Sequence, residues 1–152
     1  MKNAIAAVAL VLTALPALAD EDSIVKVKSA SDVATTMDAL VAAVEGAGAT
    51  VFARVDHAGG AMKAGMELAP EQLLIFGNPK LGTPAIRDNP IAGLHLPLRV
   101  LVYQDGDGTV WLAYEDPAKS LPELDGIAAD AAYLGKMNGA LGKLTSKAAG
   151  GS

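Results

Sequence analysis

The chain contains five short segments with the residue pattern of β-strands, and these segments constrain its fold more than any other feature. Each segment either alternates apolar and polar side chains or is apolar throughout, and turn-forming residues separate them. They are Ser23–Lys28, Thr50–His57, Gln72–Gly77, Leu96–Tyr103 and Val110–Glu115. The residues Asp105-Gly106-Asp107-Gly108 are typical of a hairpin turn, so the last two strands are predicted to pair antiparallel.

Two longer segments carry apolar residues at helical spacing. The first ends near Gly46 and has the stripe Val33, Met37, Leu40, Val41 and Val44. The second, residues 125–147, has the stripe Ile127, Leu134, Met137, Leu141 and Leu144. The order strand, helix, strands, helix predicts one α+β domain over residues 20–147, with an antiparallel sheet covered by helices on one face. Residues 148–152 are predicted to be a flexible end.

The amino-terminal segment has the composition of a cleavable secretory signal peptide. Lys2 supplies a positive start, residues 4–15 are apolar, and Ala17-Leu18-Ala19 offers the small side chains that signal peptidase prefers. The apolar stretch is shorter than the roughly 20 residues that a membrane anchor needs. We therefore expect residues 1–19 to be removed, no membrane anchor, and a periplasmic or secreted domain.

Composition excludes several classes of function. The 152 residues carry a formal net charge of −5 and include no cysteine. A mildly acidic chain without a basic run is unsuited to nucleic acids and anionic membranes, which attract Lys and Arg patches. The lack of cysteine excludes disulfides, thiol catalysis and thiolate metal sites, so stability depends on packing. The sequence indicates no particular cofactor.

Two long stretches are distinctive: residues 67–86 read ELAPEQLLIFGNPKLGTPAI, and residues 93–117 read GLHLPLRVLVYQDGDGTVWLAYEDP. Through them the chain, from about Ser23 to Leu124, closely resembles the domain-of-unknown-function 302 family. The resemblance implies a compact α+β domain of the TATA-binding-protein-like type and implies little about function. Its recurring residues correspond here to His57, Glu67, Asn78, Pro79, Lys80, Gly82, Thr83, Leu96, Pro97, Arg99 and Tyr114. The family often has an Arg-His pair after the last strand, where this chain has Leu124-Asp125-Gly126.

Seven of these positions carry side chains suited to binding a ligand. They are His57, Glu67, Asn78, Lys80, Thr83, Arg99 and Tyr114. His57 ends a predicted strand on its apolar face, and a neutral imidazole near pH 7 can act as a general base or a metal ligand. The alternative is structural: its ring nitrogens would bond to backbone groups of the following loop.

Met62 and Met66 stand four residues apart, so on a helical turn they would share one face. Thioether sulfur selects Cu(I), and His57 with these two methionines would form a copper site. Methionine at this spacing is more often a core residue. Both interpretations stay open at the level of sequence.

The loop of residues 77–83 brings together backbone amides, the Asn78 amide, the Lys80 ammonium and the Thr83 hydroxyl. Such a loop can hold an anion. The alternative is a rigid turn in which the Asn78 side chain bonds to its own backbone.

The strand patterns also predict a second apolar face of the sheet. Its members would be Phe52, Leu74, Phe76, Leu101, Tyr103 and Trp111. An apolar face of this size in a small domain favours a ligand or a homodimer. The sequence therefore predicts a non-enzymatic extracytoplasmic binding or interaction domain, with a small enzyme or metal-binding protein centred on His57 as the alternative.

Overall fold

The structure, a computed structural model, describes residues 23–150, so the predicted signal peptide lies outside the described residues. The strands are β1 (Ile24–Lys28), β2 (Thr50–Asp56), β3 (Glu71–Gly77), β4 (Leu98–Gln104) and β5 (Val110–Glu115). The helices are α1 (Val33–Gly46), α2 (His57–Lys63), α3 (Pro79–Asp88), α4 (Pro117–Ser120) and α5 (Ala132–Ala148). Short 3₁₀ turns lie at Pro90–Leu94 and Leu121–Glu123. The predicted α+β class is confirmed.

The five strands form one sheet in the order β1-β5-β4-β3-β2, and every neighbouring pair is antiparallel. The predicted hairpin between β4 and β5 is confirmed, because Asp105 N donates to Thr109 O over 2.9 Å. Gly108 occupies the left-handed region with φ of 81°, which a side chain would disfavour. Edge strand β2 contains a register shift between Val51 and Ala53.

Helices α1 and α5 pack together on one face of the sheet. The core beneath them includes Met37, Leu40, Val44, Leu74, Phe76, Val100, Val102, Leu112, Tyr114, Leu141 and Leu144. The apolar stripe predicted for α1 is thereby confirmed. Burying each of the larger side chains contributes roughly 1.5–3 kcal/mol of hydrophobic stabilisation. In residues 23–150 no helix has the length and apolarity that crossing a membrane requires.

A second apolar cluster joins α3, both 3₁₀ turns and the start of α5. It consists of Ala85, Ala92, Leu121, Ile127, Leu134 and Met137. At its edge the Tyr133 hydroxyl donates to Asp88 Oδ2 over 2.7 Å. Burial and this carboxylate raise the pKa of Tyr133 to about 12. This hydrogen bond therefore connects α5 to the end of α3.

Helix α3 forms where the sequence pattern indicated only a turn. Asn78 caps the helix, since its Oδ1 accepts from Lys80 N over 2.9 Å. Pro79 fits the first helical position, where its missing N–H leaves no bond unmade. The turn-forming residues were thus helix-starting residues, and the helix continues through Pro84.

The carboxyl-terminal helix starts later in the sequence than the pattern predicted, and the packed part of the chain extends beyond the predicted end of the helix. Residues 125–131 form turns, with Gly126 at φ of 85°. Ala148 is buried, and Ala149 O accepts from Ala30 N over 3.2 Å. Residues 148–150, predicted to be flexible, therefore pack against the segment that follows β1, while residues 151–152 lie outside the described range.

Candidate functional site

The face of the sheet that α1 and α5 leave uncovered carries a groove. We call this the open face, and strand alternation and register give its members. They are Ile24, Lys26, Lys28, Ala53, Val55, Glu71, Leu73, Ile75, Arg99, Leu101, Tyr103, Trp111, Ala113 and Glu115. The groove, about 460 Å³, crosses β1, β5, β4 and β3 and continues to a wall formed by His95, Pro117 and Ser120.

The floor of the groove is apolar and includes one small side chain. Ala113 lies between Lys26 on β1 and Leu101 on β4, and Leu101 in turn lies beside Leu73 on β3. The three apolar members of this row line the groove, and Tyr103 borders it. Because alanine ends at Cβ, the row dips at β5 and leaves room above Ala113.

Charged groups gather at one end of this floor. Glu115 Oε2 lies 3.7 Å from His95 Nδ1 and 4.0 Å from Arg99 Nη2. Both distances are within ion-pair range and beyond hydrogen-bond range, so Glu115 holds its partners loosely. Lys26 also lines the groove and makes no ion pair with any residue from 23 to 150.

Two of the seven predicted ligand-binding residues, Arg99 and Tyr114, line this groove. The Arg99 side chain is half exposed and available. Tyr114 is a core residue, and only 6% of its surface is exposed. Burial, followed by the nearby Asp116 carboxylate, raises the pKa of Tyr114, so its hydroxyl stays protonated.

His57, Met62 and Met66, the predicted copper ligands, do not all line one pocket. Met62, Met66 and Glu67 line a shallow pocket of about 630 Å³, and His57 is not among its lining residues. Met66 follows the end of α2 at Lys63, so the two methionines share no helical face. Both are more than 60% exposed, so the core interpretation is wrong, while the copper interpretation stays a prediction. In residues 23–150 no three His, Asp or Glu side chains cluster in a way that could hold a metal.

The predicted anion loop forms the first turns of α3. The Asn78 side chain bonds to the backbone of Lys80, which is the alternative that the sequence pattern left open. Asn78 and Thr83 line a small, mostly apolar cavity of about 270 Å³ with Phe52, Ile86 and Met137, and Lys80 is not among its lining residues. This loop is therefore a helix start beside an apolar cavity.

The predicted second face was partly wrong. Leu101, Tyr103 and Trp111 lie on the open face, but Leu74 and Phe76 point into the core, where they are 0% and 2% exposed. Phe52 sits at the β2 register shift with its ring beside Gly77, and it lines the apolar cavity near α3. The residues that take the place of Leu74 and Phe76 on the open face of β3 are Leu73 and Ile75.

His95 and Glu115 belong to the groove and were missed in the sequence. One signal was available for Glu115. The hairpin pairs Leu101 with Ala113, and continuing this register by two residues places Arg99 opposite Glu115. No sequence signal places His95, because it precedes β4 in an irregular connection.

Residues 25–144 match the family model described as "Domain of unknown function DUF302". The chain belongs to the DUF302 family. Among solved structures, the uncharacterized conserved DUF302 protein from Bacillus stearothermophilus is similar, with a TM-score of 0.74 and 17% sequence identity. The similarity covers 83% of this DUF302 chain and 98% of that one, and it shows a shared fold. A shared fold does not by itself establish a shared function.

Curated relatives share more of the sequence. "Fluoride-specific ion channel FluC 1" of Brucella suis biovar 1 is 40% identical over 131 residues, which is 86% of this chain and 51% of the relative. "Fluoride-specific ion channel FluC 2" of Brucella melitensis biotype 1 is also 40% identical over 131 residues, and the matched segment is 48% of its own length. This DUF302 chain thus spans about half the length of the curated relatives that it matches.

Proposed function

We propose that this protein is a non-enzymatic small-molecule binding domain and that the open-face groove is its site. The observation that carries the proposal is the groove itself, whose volume of about 460 Å³ falls among typical ligand sites, roughly 300–1,000 Å³. Its apolar floor and few charged groups are the usual composition of such sites. The floor supplies affinity, and the charged end selects and orients the ligand.

The arrangement of the predicted residues favours binding over catalysis centred on His57. A general base must reach the reacting proton within hydrogen-bond distance or through one water. Glu67 lines one pocket and Asn78 with Thr83 lines another, and His57 lines neither. These groups therefore line no common pocket among those described here.

The proposed place of action is outside the cytoplasm. The support is the signal-peptide composition of residues 1–19. N-terminal sequencing of the exported protein should give Asp20 as the first residue. Recovery of Met1 in a membrane fraction would contradict export by cleavage.

Filling the floor of the groove tests the binding proposal. The mature protein and an Ala113→Leu variant would be purified from periplasm and weighed by native mass spectrometry. We expect a bound ligand on the wild type and loss of that mass in the variant, because the larger side chain occupies the dip. Ala53→Leu is the matched control, since Ala53 is on the same face but outside the groove. A wild type that carries no ligand from its own periplasm, or equal occupancy in both variants, would contradict the proposal.

The curated relatives favour a second candidate, a function connected with fluoride. Proteins named fluoride-specific ion channels contain a segment 40% identical to this chain over 131 residues. If this domain binds fluoride, sodium fluoride should raise the melting temperature at concentrations where sodium chloride does not. Equal effects of the two salts would rule against direct fluoride binding.

A further inference from the structure

The charges around the groove differ in sign from those of the whole protein. The chain has a net charge of −5, yet the groove is lined by Lys26 and Arg99 against Glu115 as its one carboxylate. Salt screens exposed charges beyond about 8 Å at physiological ionic strength, so the cations that line the groove act on a ligand there although the whole chain is acidic. Asp116 is a nearby acidic group, but it does not line the groove. Among the side chains that line the groove, two cations face one carboxylate, so one anionic group would complete their pairing.

The geometry brings these cations to either side of the open space. Lys26 lies beside Ala113 on the next strand, and neighbouring strands are about 4.8 Å apart. On the other side of β5, the Arg99 side chain has only its 4.0 Å contact with Glu115 and makes no side-chain hydrogen bond with residues 23–150. An anion above Ala113 can therefore receive N–H donors from both strands.

The remainder of the groove suits an apolar body. From Ala113 the floor continues through Leu101 to Leu73, and Tyr103 stands along its side. A bare inorganic anion would leave this floor in contact with water. An apolar molecule without charge would leave the Lys26 and Arg99 donors unused.

We infer that the groove selects a small amphipathic monocarboxylate, with its carboxylate between Lys26 and Arg99 and its apolar body over Leu101 and Leu73. This inference rests on the proposed binding function and deepens it. A charged hydrogen bond between the carboxylate and each cation provides the selectivity. Contact with the leucines provides affinity in proportion to the apolar area that is buried.

Isothermal titration calorimetry with four probes tests the class of ligand. The probes are sodium octanoate, sodium acetate, 1-octanol and octylammonium chloride. We expect octanoate to bind at one site, at least about tenfold more tightly than the other three, because it alone has both the anion and the apolar body. Trp111, the chain's one tryptophan, pairs with Tyr103 across β4 and β5, so its fluorescence gives a second readout.

Two lysines on one strand provide a matched pair of variants. Lys26 and Lys28 are both exposed on the open face, but only Lys26 lines the groove. Lys26→Gln should weaken octanoate binding about tenfold, and Lys28→Gln should leave it unchanged. Arg99→Gln should weaken it to a similar extent. Equal effects of the two lysine variants would overturn the placement of the carboxylate.

The outcomes separate this inference from the proposed function. Suppose that octanol or octylammonium binds tightly, that Ala113→Leu blocks this binding, and that octanoate does not bind. The groove is then a binding site and the monocarboxylate inference is wrong. If no probe binds, and the protein from periplasm also carries no ligand, the proposed function fails. Circular dichroism melts of each variant confirm that the fold is retained before binding is compared.

Discussion

At the scale of single residues, Asp105 shows how one side chain fixes a turn. Its Oδ1 accepts from Asp107 N and Thr109 N over 3.0 and 2.8 Å, and its Oδ2 accepts from Trp111 Nε1 over 2.8 Å. These donors, with the Trp111 bond first, lower the pKa of Asp105. The same carboxylate thus closes the hairpin and orients the indole beside the groove.

The lowered pKa of Asp105 predicts a change of stability with pH. A carboxyl whose pKa is lower in the folded than in the unfolded state stabilises the fold above its unfolded pKa, about 3.9. That stabilisation is lost as pH falls through the folded pKa. We expect Asp105→Asn to lower the melting temperature at pH 7. On acidification below about pH 4, the melting temperature of this variant should fall by less than that of the wild type. Thermal melts between about pH 3 and pH 7 measure this, and parallel curves for the two proteins would contradict it.

At the scale of elements, strand β3 shows what the sequence pattern cannot supply. Residues 73–77, LLIFG, are apolar throughout, so no alternation indicates which side chains face the core. Pairing with β4 decides it, because Leu74 lies opposite the buried Val100 and Leu73 lies opposite Leu101 on the open face. Where the apolar spacing was clear, as in α1, the buried face could be predicted. Where the segment is uniformly apolar, the face depends on a neighbouring strand.

Two adjacent leucines in β3 give a prediction at this scale. Leu74→Ala should lower the free energy of unfolding by about 2–5 kcal/mol, because it leaves a cavity in the core. Leu73→Ala removes the same atoms from the floor of the groove and should cost clearly less, since water can fill the space. Urea denaturation of both variants provides the comparison. Similar losses at the two positions would contradict the assignment of faces.

At the scale of the whole molecule, the sheet separates a structural side from a binding side. Helices α1 and α5 bury one face, while the groove on the other face is bordered by His95 and by Pro117 at the start of α4. The fold could be predicted because it follows from strand and helix patterns within single segments. The site could be predicted only in part, through Arg99 and Tyr114. His95 and Lys26 come from distant parts of the chain and join the groove only once the strands have paired.

The homodimer predicted from the sequence would use the same open face as the groove. A second copy on that face would cover Lys26, Arg99 and Glu115 together with the leucine floor, so ligand and partner would compete for one surface. We therefore expect the dimer fraction at high protein concentration to fall when octanoate saturates the groove, and to stay constant with octylammonium. Sedimentation velocity with and without each probe measures both fractions. A wild type that is monomeric at every concentration would contradict the homodimer, and a dimer that octanoate leaves intact would show that the interface lies elsewhere.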